Sequence, residues 1–131
     1  MNKTGILNPE IRSEIARLGH TEYFVIADCG LPLSQCKRVI DISLADNLPG
    51  FLDVLRAVAG ELVVESFLYA EEMRAENPAL LGSMQEVLAG IPGREMPHEA
   101  IKQLCNRAAC AIRTGEKSPY ANVVLVGGVN F

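Results

Sequence analysis

The residues best suited to acid/base chemistry are His20, Asp28 and His98. Histidine is the one side chain whose unperturbed pKa lies close to neutral, so it can both give and take protons there. The chain has only two. His20 closes the run Arg17-Leu18-Gly19-His20. The apolar run Tyr23-Phe24-Val25-Ile26-Ala27 follows and ends in Asp28. An imidazole just past a helix end and a carboxylate at the far end of the next strand both stand where side chains meet a cleft. Paired, they would act as a unit, because a carboxylate holds an imidazole in one tautomer and raises its basicity. The plainer reading is punctuation: a helix end at Gly19, a strand, then a Gly30-Leu31-Pro32 turn opened by Asp28.

His98 follows Met96-Pro97 and precedes Glu99, which places it at a helix start. Its plain reading is an exposed surface histidine, and a functional one requires it to approach His20 in space. A third group is the polar stretch from Arg113 to Asn122, set between two apolar strand candidates. Tyr120 and Asn122 there supply a hydroxyl and an amide, which donate to and accept from sugar hydroxyls. Polar residues held by rigid strands suit ligand binding, whereas a surface hairpin needs Gly, Ser and Pro for its turn alone.

These residues need elements to position them. Asn8-Pro9-Glu10 reads as a helix cap, a proline at the first helical position and an acid near the positive end. Ile11, Ile15 and Leu18 then share one face, and Gly19 fits a left-handed residue just past the end. Three runs are apolar on both faces: Tyr23 to Ala27, Leu62 to Val64 with Phe67-Leu68, and Val123 to Val126. Such runs predict strands in a sheet covered on both sides by helices. Residues 39–42 and 109–112 are shorter strand candidates. Helical spacing recurs from Phe51 to Val58, after Asn77-Pro78, where the cap-plus-proline start repeats, and over Glu99 to Arg107. Residues 90–93 read as a loop. Strands alternating with helices predict an α/β layered domain.

Bulk properties narrow the function. A chain of 131 residues makes one domain and buries a core without metals or disulfides. Trp is absent, aromatics are 5% and the net charge is −4. That argues against base stacking and against a phosphate-backbone footprint. The four cysteines form no C-x-x-C pair and, with two histidines, match no familiar zinc spacing. No signal region or membrane-length apolar run is visible, so the expectation is a cytoplasmic protein with reduced thiols. Gly127-Gly128 follows a strand but opens no helix, which excludes a dinucleotide fingerprint there. There is no phosphate-binding glycine loop, G-x-S-x-G or H-E-x-x-H.

The motifs together resemble the D-ribose pyranase family, which includes the L-fucose mutarotases. The resemblance runs nearly end to end. It is carried by G-I-L-N at 5–8, R-L-G-H-T at 17–21, I-A-D-C-G-L-P at 26–32, I-R-T-G-E at 112–116, S-P-Y-A-N at 118–122 and G-V-N-F at 128–131. It implies a three-layer α/β fold over residues 1–131, with a central mixed sheet of about six strands covered by helices. It implies a cofactor-free, metal-free cytoplasmic isomerase that interconverts ring forms of a free monosaccharide, for ribose the pyranose and furanose. It implies His20 as proton donor and Asp28, His98, Tyr120, Ala121 and Asn122 at the sugar. It further implies a homo-oligomer, a pentameric ring or a decamer, with sites between neighbouring subunits. The G-L-P after Asp28 and the His98-Glu99 pair favour the ribose branch. The alternatives are a mutarotase for another sugar such as L-fucose, a non-catalytic sugar-binding protein, and a structural oligomer. The residues leave open whether His98 or Tyr120 assists His20.

Overall fold

The first helix, α1 (Pro9–Arg17), starts where the sequence places it: the Asn8 side-chain oxygen accepts the N–H groups of Glu10 and Ile11 at 2.9 and 3.0 Å. The computed structural model describes all 131 residues. After α1 come β1 (Tyr23–Ala27), β2 (Val39–Asp41), α2 (Phe51–Ala59), β3 (Val64–Ala70), α3 (Met73–Glu76) and α4 (Pro78–Val87). The chain continues with β4 (Gly93–Met96), α5 (His98–Cys105), β5 (Cys110–Arg113) and β6 (Val123–Gly127). This is the expected α/β architecture, with one mixed sheet of six strands in the order β2-β5-β1-β6-β3-β4.

Phe24, Val25, Ile26 and Ala27 are all fully buried. Successive strand residues point to opposite faces, so β1 is covered on both sides. Helix α2 packs against β1, and α5 against β1, β3 and β6. Strand β6 alone runs against the others, antiparallel to β1 on one side and to β3 on the other. Strand β5 lies parallel to β1 on its far side, with β2 parallel beyond it. The stretch from Arg113 to Asn122 therefore crosses over the end of β1 to reach β6 and is not a hairpin.

Local details differ from the sequence reading. Helix α1 ends on an extended Leu18 (φ −61°, ψ 123°) and Gly19 is not left-handed. Instead the Glu22 carboxylate takes the Gly19 N–H at 2.7 Å, and Thr21 turns the chain at φ 67°. The Asn77 side chain does not cap α4. It donates to Ser118 Oγ and the Pro119 carbonyl at 3.0 and 2.9 Å. Gly93 is the first residue of β4, not the end of a loop. That strand pairs parallel with β3 at the sheet edge and carries Arg94 and Glu95, so its sequence lacks apolar alternation. Helix α5 begins one residue earlier and ends two earlier than expected.

Candidate functional site

Five chain segments meet at one end of the sheet. In register, Ala27 faces Arg113, Ile26 and Tyr69 both face Val123, and Ala70 faces Met96. The residues just beyond these positions, Asp28, Thr114, Asn122, Glu71 and His98, are thus delivered to a single rim. Asp28 is fixed there from two directions. Its Oδ1 accepts the N–H groups of Gly30 and Leu31, each at 2.9 Å, which makes the turn after β1. Its Oδ2 accepts from Asn122 Nδ2 at 2.9 Å, while its own N–H donates to Asn122 Oδ1 at 2.9 Å. Asn122 is fully buried, so this reciprocal pair is shielded from water. A carboxylate has about four lone-pair sites. Three are filled, which leaves about one directed outward.

His98 is the first residue of α5, half-buried and not exposed as its plain reading had it. Both Glu72 carboxylate oxygens take its backbone N–H, at 3.1 and 3.0 Å. A carboxylate at this end also suits the helix dipole. The His98 ring meets Tyr120 edge-on, with centroids 5.0 Å apart at 81°, the arrangement that aromatic quadrupoles favour. His98 Nδ1 is buried and has no hydrogen-bond partner in the chain. Tyr120 itself holds φ 58°. That conformation is uncommon for a non-glycine residue and collects at ligand clamps. Asp28, Leu31, Glu76, His98, Lys102 and Tyr120 line an open cleft of about 430 Å³, a size common for small-molecule sites. Ala121 and Asn122 are buried behind it.

His20 is not in this cleft. It precedes β1, whereas Asp28 follows it, and five strand residues span about 17 Å. The expected His20–Asp28 pair does not form within one chain. The carboxylate at His20 belongs to Glu65 on β3, with Oε2 2.6 Å from Nε2. Both side chains are about half exposed. His20 lies in a second recess lined by Leu18, Glu61, Val63, Gly128 and Phe131, at the opposite end of the sheet.

Sequence reasoning missed Glu65, Glu72 and Lys102. Lys102 carried a signal, since it stands four residues after His98 on α5 and hence on the same face. Glu65 and Glu72 carried none, because their partners are distant in sequence. The Cys105 and Cys110 thiols are buried, and burial pushes both up to about 12. They are core residues and not nucleophiles. No three His, Cys, Asp or Glu side chains converge as a metal centre would need, and no helix is long and apolar enough to cross a membrane.

A family model described as the RbsD / FucU transport protein family matches residues 1–130. The D-ribose pyranase of Geobacillus kaustophilus is 47% identical over 131 residues, covering 100% of this chain and 96% of that protein. The structure of Bacillus subtilis RbsD complexed with D-ribose matches with a TM-score of 0.95 at 40% identity, covering 100% of both chains. The fucose mutarotase of Streptococcus pneumoniae, solved with L-fucose, matches with a TM-score of 0.83 at 19% identity over 95% of each chain. That last likeness is one of fold.

Proposed function

The chain belongs to the RbsD / FucU family, and from that premise we propose that it has D-ribose pyranase activity, opening and reclosing the ring of free D-ribose. Ring opening requires a proton delivered to the ring oxygen and one removed from the anomeric hydroxyl. The aldehyde then recloses through a different hydroxyl. The exchange breaks and re-forms one C–O bond with proton transfers and no change of oxidation state, so it needs no redox cofactor. A group that gives and takes a proton near neutral pH contributes about 10²–10⁴-fold, which suits a reaction that already proceeds slowly in water. His20 is the proton donor. Asp28, His98, Tyr120, Ala121 and Asn122 form the sugar side of the site, and residues 1–131 act as one domain.

The observation that carries this reading is the rim at the Asp28 end: a carboxylate locked from behind with about one lone pair directed outward, beside an unpartnered His98 Nδ1 and a phenol. A sugar hydroxyl both donates and accepts, so it answers such a set. The distance between His20 and Asp28 supports a site shared by two copies, in which His20 of one subunit meets the Asp28 cleft of its neighbour. The assembly is a homo-oligomer, a pentameric ring or a decamer. The four unpaired cysteines support the cytoplasm as its compartment.

Saturation-transfer NMR on free sugars tests the activity. Faster exchange between ribose pyranose and furanose signals is expected, and L-fucose in the same panel separates the two sugar branches. Ribose that raises the melting temperature without faster exchange would make the protein a binding subunit. A His20→Ala protein that exchanges ribose at the wild-type rate would remove His20 from the chemistry.

A further inference from the structure

We propose that Glu65 is a positioning residue for His20, fixing the imidazole so that Nδ1 is the nitrogen that exchanges protons with the sugar; this rests on the reading of His20 as proton donor. The Glu65 carboxylate lies 2.6 Å from His20 Nε2, and Nδ1 makes no hydrogen bond in the chain. Three carboxylates stand near this turn. That of Glu22 is taken by the Gly19 N–H at 2.7 Å and that of Glu61 by the Ile6 N–H at 2.6 Å. Glu65 alone has no partner but His20.

The backbone delivers both members of the pair. In the β3–β6 ladder Val64 faces Gly127 and Ser66 faces Val126, so the register shifts across Glu65. Such a bulge leaves one residue unpaired and re-aims its side chain. Gly128 makes room for it: the Gly128 N–H donates to the Val63 carbonyl at 2.8 Å, and a Cβ at 128 would stand 3.3 Å from both Cβ and N of Glu65. On the other side, the Thr21 N–H donates to the Gly127 carbonyl at 2.8 Å, which ties the His20 turn to the same strand end. Thr21 sits at φ 67°, an outlier for a β-branched residue. Strain of this kind costs of order 1–3 kcal/mol and persists only where the surroundings impose it. An exposed ion pair adds little to stability, so the consequence of this one is orientation.

A carboxylate accepting from Nε2–H leaves Nδ1 to work. In the opening step the imidazolium, with Nε2–H held by Glu65, gives its Nδ1 proton to the ring oxygen as the C1–O bond breaks and its electron pair passes to that oxygen, leaving the neutral ring protonated at Nε2. The anomeric proton passes to a second group at the Asp28 end and returns from it. On reclosure the bare Nδ1 takes the proton of the attacking hydroxyl. Glu65 stays ionised and exchanges no proton.

The test measures ribose exchange and ¹⁵N imidazole signals on the intact protein for His20→Ala, Glu65→Ala, Glu65→Gln and the double variant His20→Ala/Glu65→Ala. Removing such an orienting partner typically costs about 10–100-fold, and Glu65→Ala is expected to lose that much in kcat with KM within about twofold. The neutral form of His20, left once Nδ1 has given up its proton, is expected as one tautomer protonated at Nε2 in the wild type and as a mixture in Glu65→Ala. Glu65→Gln keeps an acceptor and recovers most of the loss. The double variant is no slower than His20→Ala alone, because groups acting as a unit are non-additive. Wild-type exchange by Glu65→Ala while His20→Ala is impaired overturns the role of Glu65 alone, as do losses that multiply in the double variant. Wild-type exchange by His20→Ala overturns the underlying reading as well.

Discussion

Asn122 and His98 make opposite demands on their surroundings. Asn122 is buried and serves both the backbone and the carboxylate of Asp28. Truncating it strips two hydrogen bonds from Asp28 and frees its side chain. Asn122→Ala is expected to cost about 1–3 kcal/mol in stability, read by urea denaturation, together with most of the ribose affinity, read by calorimetry. His98 instead holds a buried Nδ1 with no partner in the chain, which is a cost in the absence of sugar. Phe keeps the edge-on contact with Tyr120 and removes that nitrogen. His98→Phe is therefore expected to melt no lower than wild type without sugar, yet to bind ribose about tenfold more weakly, the value of roughly one hydrogen bond. A fall in both melting temperature and affinity would instead make His98 a packing residue.

At the scale of elements, α2 depends on a residue far along the chain. Its cap position is Gly50, which has no side chain to accept the first N–H groups. Glu116 does this from the crossover, with Oε2 3.0 Å from Phe51 N and Oε1 accepting from Ser118 Oγ at 2.7 Å. Burial alone would push the Glu116 carboxyl up, but the hydrogen bonds from Phe51 and Ser118 outweigh it and hold the carboxyl below its ordinary value of 4.5. The folded state thus favours the ionised form. Its stabilising contribution is fully present above pH 4.5 and is lost as pH falls through the lower folded value. Glu116→Gln is expected to melt below wild type at pH 7, by about 1 kcal/mol as for a lost cap. The difference should shrink on acidification once the wild-type carboxyl is also neutral. Melting curves at pH 7 and pH 3 check the sign. Next to it, Gly115 lets the 43–50 loop dock: a Cβ there would stand 2.5–2.7 Å from backbone atoms of Ala45 and Leu48. Backbone cannot yield as a flexible side chain does, so Gly115→Ala is expected to cost about 1–3 kcal/mol in a denaturant titration.

For the whole molecule, the topology separates the two halves of the proposed chemistry. Because β1 runs between them, His20 and Asp28 of one chain face opposite ends of the sheet. If the proposed oligomer forms, mixed assemblies make this measurable. His20→Ala and Asp28→Asn proteins, each much slower than wild type alone, are expected to regain about a quarter of wild-type exchange after co-refolding in equal amounts, since random neighbours in the proposed ring restore one site in about four. No recovery would rule out a site shared between neighbouring subunits. The sequence by itself determined most of the order of elements, though not α3 or β4, along with the apolar strands, the Asn8 cap and, through its motifs, the family. These are local signals, set by side-chain periodicity, cap chemistry and short runs of residues. It also singled out His20, Asp28, His98, Tyr120 and Asn122. What it could not determine was their company. Strand β4 is a short edge strand without alternation, Glu72 meets His98 from 26 residues away, and Glu65 meets His20 from 45. Sequence proximity suggested Asp28 as the partner of His20, but an extended strand holds its two ends as far apart as its length allows. Only the tertiary structure, by setting β6 between β1 and β3, decided that Asn122 would lock Asp28 and that Glu65 would reach His20.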